Sequence, residues 1–96
     1  MTSLIAITSY FNPSKFASKK KNYLEFWENL KKQGIKLITV ECTFKNMPNE
    51  LSPEFCDIYI NVQSNSRIWQ KERLLNIALE HVPKKYNKVC ALDCDV

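Results

Sequence analysis

A chain of 96 residues, 45% apolar and 25% charged, is long enough for one small domain at most and can bury a core, which excludes an intrinsically disordered polymer. Its net charge of +4 favours an anionic partner, yet Lys19-Lys20-Lys21, Lys31-Lys32, Lys71, Arg73 and Lys84-Lys85 are separated by acidic residues, the pattern of a solvated surface and not of a nucleic-acid-binding arm. No basic segment precedes the short apolar run in Met1 to Tyr10, so the expectation is a cytoplasmic protein with neither signal peptide nor membrane span.

Leu4 to Ser9 is a compact apolar run closed by Asn12-Pro13-Ser14, as in a buried strand ending in a turn. From about Ser18 to Gln33, Tyr23, Phe26, Trp27 and Leu30 recur at three- and four-residue steps and Gly34 follows as a stop, so an amphipathic helix is predicted. Ile35 to Cys42 is apolar and β-branched and reads as a second strand emerging at Glu41. Thr43 to Phe55, with Asn46, Pro48, Asn49 and Pro53 and no period, reads as a surface loop. Asp57 to Val62 is a short third strand. Ser64-Asn65-Ser66 offer caps for a helix to about His81, with Leu74, Leu75, Ala78, Leu79 and Val82 inward and Pro83 as its stop. After the polar turn Lys84 to Lys88, Val89-Cys90-Ala91-Leu92 forms a fourth strand delivering Asp93-Cys94-Asp95 at its carboxyl end.

This alternation predicts one α/β domain over residues 1–96, a Rossmann-like parallel sheet with flanking helices and strand order 3-2-1-4. In such a sheet the winding reverses between the first and fourth strands, and ligands lie outside the strand carboxyl ends at that point. Ser9 and Tyr10 are thereby expected beside the Asp93-Cys94-Asp95 stretch, with Tyr10 on the crevice rim where a base would rest. The four cysteines, Cys42, Cys56, Cys90 and Cys94, include no C-x-x-C pair. Cys90 and Cys94 would lie ~13 Å apart along a strand, too far to bridge, and reduced thiols are expected.

Residues i and i+2 of an extended chain face the same way, so Asp93 and Asp95 project together, ~7 Å apart. Paired carboxylates at a sheet's end require neutralisation. Hard oxygen ligands suit Mn²⁺ or Mg²⁺, which also binds phosphate oxygens and acts as a Lewis acid on a leaving diphosphate.

Trp69-Gln70-Lys71-Glu72-Arg73-Leu74-Leu75-Asn76, followed after a helix and turn by Leu92-Asp93-Cys94-Asp95-Val96, resembles the segment of β-galactosyltransferase-type (family 2-like) GT-A glycosyltransferases that reads aromatic, amide, basic, two variable positions, Leu-Leu-Asn and then Asp-x-Asp. Ile7 to Pro13 is similar to the first nucleotide-contacting strand and loop of GT-A proteins. The resemblance implies a GT-A nucleotide-binding half that holds a nucleoside-diphosphate sugar, a UDP-sugar by preference. It implies base stacking by Trp69, nucleotide contact by Lys71, support from Asn76, ribose contact and metal ligation by Asp93, metal ligation by Asp95, and base contact by Glu41. Lys71 stands where the family commonly has Arg, which weakens bidentate contacts. In GT-A enzymes an acceptor half follows the Asp-x-Asp motif and supplies the general base of inverting members. Residues 1–96 are therefore expected to be truncated relative to a complete transferase, to lack turnover alone, and to contain no assignable catalytic residue.

Two other readings remain. Haloacid-dehalogenase-like phosphotransferases also end a strand in D-x-D-V, with the first Asp as nucleophile, but on the opening strand. A non-enzymatic nucleotide- or nucleic-acid-binding module would use Trp27, Trp69, Tyr10 and the lysines, although Trp27 falls on the inward stripe of its helix.

Overall fold

The computed structural model describes residues 3–11, 17–44, 48, 51–64 and 71–92. In chain order these form β1 (Leu4–Phe11), α1 (Ala17–Lys32), β2 (Lys36–Phe44), a short 3₁₀ turn (Pro53–Phe55), β3 (Ile58–Ser64), α2 (Lys71–Glu80) and β4 (Lys88–Ala91). The strands make one four-stranded parallel sheet in the order β3-β2-β1-β4, with the helices packed on it. This is the α/β architecture expected from the alternation of strand and helix, and it is compatible with a Rossmann-like fold.

Helices on both faces explain why the central strands are buried almost throughout. On one face the stripe of Tyr23, Trp27 and Leu30 buries against Ala6, Tyr10 and Leu37, with Leu51 and Cys56 completing the cluster. On the other, Leu74 and Ala78 of α2 bury against Ile5, Ile7 and Phe11 of β1 and Ile38, Val40 and Cys42 of β2. The chain enters α2 from β3 at one edge of the sheet and leaves it for β4 at the other. That path takes α2 across β2 and β1, where it makes its contacts.

Gly34 ends α1 for a specific reason. Its φ of +71° is left-handed, so its N–H reaches the Lys31 carbonyl (3.0 Å) while Ile35 N–H reaches back to Leu30 (3.0 Å), and Ile35 packs on the same cluster as Leu30. At the amino edge, β1 and β4 are clasped by Ser3. Its Oγ donates to the Lys85 carbonyl (2.8 Å), its N–H to Asn87 Oδ1 (3.1 Å), and its carbonyl accepts from Lys88 N–H (3.0 Å).

Several boundaries differ from expectation; β3 runs on to Ser64, which is thereby a strand residue and not a helix cap. β1 continues through Tyr10 and Phe11, because both side chains find core on opposite faces. β2 runs on to Phe44, so Glu41 lies inside a strand and not at its end. Within the predicted surface loop, Thr43 is buried and accepts from Asn61 Nδ2 (3.2 Å), Pro53–Phe55 is a helical turn, and Leu51 is buried. Among the described residues no helix is long and apolar enough to cross a membrane.

Candidate functional site

Since β1 connects to β2 on one side and β4 lies on its other side, the winding reverses between β1 and β4. Leu4, Ile5, Ala6 and Ile7 pair in register with Lys88, Val89, Cys90 and Ala91. Beyond that ladder, Leu92 is held twice more: its N–H donates to the Ile7 carbonyl (3.0 Å), and its own carbonyl accepts from Thr8 Oγ1 (2.8 Å). Thr8 is completely buried and Leu92 half-buried, so the donor side of this second bond is sheltered from water. Asp93 is the next residue in the chain after Leu92. Asp93, Asp95 and Trp69 lie outside the described residues, as does the side chain of Lys71, whose backbone opens α2. Among the described residues no three His, Cys, Asp or Glu side chains converge as metal ligands.

Ser9 and Tyr10 point to opposite faces. Ser9 shares the α2 face with Ile7 and Phe11 and is 8% exposed. Tyr10, expected on the rim, is instead core: it is 1% exposed, and its ring meets that of Tyr23 edge-on, centroids 5.6 Å apart and planes at 77°. Tyr23 is fixed in turn by its hydroxyl. It donates to the Phe55 carbonyl (2.7 Å), which can only accept, and so receives the proton of Thr39 Oγ1 (2.8 Å).

Glu41 is only 2% exposed and faces the α1 layer. Its Oε1 accepts from the Tyr59 hydroxyl (2.6 Å) and from the Leu51 N–H (3.2 Å). Burial first, and then the adjacent Glu41 carboxylate, hold the Tyr59 phenol well above its ordinary range. Asn61 completes the group by donating to the Glu41 carbonyl (3.2 Å).

Asn76 is exposed on α2 and rims an open cavity of about 420 Å³ lined by Ile7, Leu75, Leu79, Val89 and Ala91. Arg73, also exposed, was not singled out from sequence as a site residue, yet from the first turn of α2 its charge reaches Cys42. Burial raises the Cys42 thiol and Arg73 partly opposes that shift; burial also raises Cys56. Cys42, Cys56 and Cys90 are free thiols, with Cys42 and Cys56 in clusters on opposite faces of the sheet. Tyr59, Asn61 and Thr8 were likewise missed. Alternation along the third strand puts Tyr59 and Asn61 on one face, but only the register Thr39↔Tyr59 and Glu41↔Asn61 sets them beside Glu41.

No protein-family model, curated protein or solved structure matches the chain.

Proposed function

We propose that this chain is the donor-binding part of a GT-A type glycosyltransferase, holding a nucleoside-diphosphate sugar, UDP-linked by preference, through a divalent cation on Asp93 and Asp95. The observation that supports this best is the double tether of Leu92, the residue before the acidic pair, to β1 at the reversal of strand order. Open parallel sheets bind ligands at the carboxyl ends of the strands that flank such a reversal. The Trp69 to Asn76 pattern, spaced ahead of Asp93-Cys94-Asp95 as in the family it resembles, points the same way.

In this reading Asp93 and Asp95 are the residues that would hold Mn²⁺ or Mg²⁺, which supplies charge stabilisation to a departing diphosphate. Trp69 stacks on the base, and Lys71 meets the nucleotide as a mobile point charge. Ser9, Asn76 and the backbone around Leu92 shape the crevice. The structure gives Tyr10 a different task from base contact: it packs the floor beneath β1.

Calorimetric titration of UDP and GDP, with and without Mn²⁺, tests the proposal. Binding should need the cation and should fall at least tenfold in Asp95→Ala, the loss of about 1.4 kcal/mol or more that removing a metal ligand entails. Absence of nucleotide binding, or binding indifferent to both Mn²⁺ and Asp95, would refute it.

A further inference from the structure

The large apolar side chains that are exposed among the described residues, Leu4, Leu79 and Val89, lie at or beside β4, and none lies at the opposite edge, β3. β4 ends the sheet: one side of its backbone pairs with β1, and no described strand pairs with the other. Which groups face outward follows from the bonds that face inward. Lys88 N–H donates to the Ser3 carbonyl and Leu92 N–H to the Ile7 carbonyl, and main-chain groups alternate sides along a strand. The N–H and C=O of Val89 and Ala91 therefore point away from β1. The side chains of the same two residues lie on the α2 face, in register with Ile5 and Ile7, and line the open cavity of about 420 Å³ beside Leu75 and Leu79.

Outward donors and acceptors next to an apolar hollow are what an added strand requires, bonds for its backbone and room for alternate side chains. Charge narrows the occupant. Lys84 and Lys85, on the turn before β4, and Lys88, its first residue, are all exposed. A strand running antiparallel to β4, the more stable pairing per residue, brings its carboxyl end to these lysines. We propose that β4 docks an extended segment of a partner protein, antiparallel, with large apolar side chains opposite Val89 and Ala91 and acidic residues at its carboxyl end. A second copy of this chain fits less well. Its own β4 offers only Val89 and Ala91 to a cavity of that size, and the pairing joins two molecules of net charge +4. This docking edge is independent of the donor-binding reading.

The probe is an acetylated peptide of alternating threonine and leucine that ends in two glutamates, titrated by calorimetry and followed by residue-resolved amide hydrogen exchange on the full chain. With the peptide on about 90% of the protein, exchange at Val89 and Ala91 should slow roughly tenfold, with no change in β2. Moving the glutamates to the amino end, or combining Lys84→Glu with Lys88→Glu, should weaken binding roughly tenfold. Val89→Pro removes an outward N–H and leaves the β1 ladder whole, so it should abolish binding while the circular dichroism stays unchanged. If proline disturbs β4, the lysine variant still decides. Failure of the peptide to bind, or binding that leaves Val89 and Ala91 exchange unaltered, would overturn the docking edge. Affinity indifferent to both the glutamates and the lysines would overturn the acidic partner. Slower exchange at Val89 and Ala91 on raising the protein concentration alone would show that the edge takes a second copy, and would overturn it as well.

Discussion

Thr8→Val isolates the contact that ties β1 to the residue before the acidic pair. Valine nearly matches threonine in volume and in strand preference, so in a fully buried site it opens no cavity and removes little beyond the O–H donor. The lost bond, 2.8 Å to the Leu92 carbonyl, spans 84 positions of sequence. A buried acceptor left unmatched costs about 1–3 kcal/mol, and because Leu92 is only half-buried its carbonyl regains some water, which points to about 1 kcal/mol. For a domain of this size that lowers Tm by roughly 4–8 °C. If the whole of that energy serves to position Asp93 and Asp95, the Kd for UDP with Mn²⁺ rises about fivefold. Thermal unfolding and calorimetric titration of the same preparation measure both. A lowered Tm beside an unchanged Kd would refute the claim that this tether orients the acidic pair, and an unchanged Tm would show that the bond contributes nothing.

The Tyr59 phenol gives a signature at alkaline pH. Its folded value is raised, so its stabilising contribution is complete below the unfolded value of about 10 and decays as pH rises beyond it, where the unfolded chain has released a proton that the folded one retains. Urea unfolding at stepped pH should show a shallower decline above about pH 10 in Tyr59→Phe than in the unaltered protein, and parallel declines would count against the buried pair. Leu74→Ala, at a completely buried position where α2 meets the sheet, should cost about 2–5 kcal/mol in the same assay. A loss under about 1 kcal/mol would mean that α2 is not packed across β1 and β2.

The alternation of strands and helices was legible because each element carries its own period. Tyr23, Trp27 and Leu30 repeat at helical spacing, Gly34 marks a stop, and Leu4 to Ile7 is apolar without a break, as suits a strand covered on both faces. Strand ends were less legible. Tyr10, with its polar hydroxyl, reads as a rim residue in sequence, and only the two helix layers show that it and Phe11 each have a core to enter. Glu41 escaped for a related reason. A lone carboxylate in a strand reads as an exposed end, and the groups that satisfy it come from Tyr59 and Leu51, 18 and 10 positions away, brought together by a register that one sequence does not supply. Thr43 is parallel, a polar residue kept inside by Asn61. Trp69, Asp93 and Asp95, central to the resemblance, lie outside the described residues.

The Ser3 clasp bears on how the fold is completed. β4 joins the sheet only through β1, from which it is separated by more than eighty positions. Closing a loop of that length costs about 4 kcal/mol of chain entropy, a cost that β1 and β2, joined across one helix, share only in part. Because local contacts close at lower entropic cost, β4 is expected to dock after the β1-α1-β2 unit, and faster amide exchange in β4 than in β2 would be the sign of it. If the donor-binding reading proposed above holds, nucleotide capture reports on the docking of β4 against β1 as well as on the ligand, because Leu92, the last residue held to β1, directly precedes Asp93 in the chain.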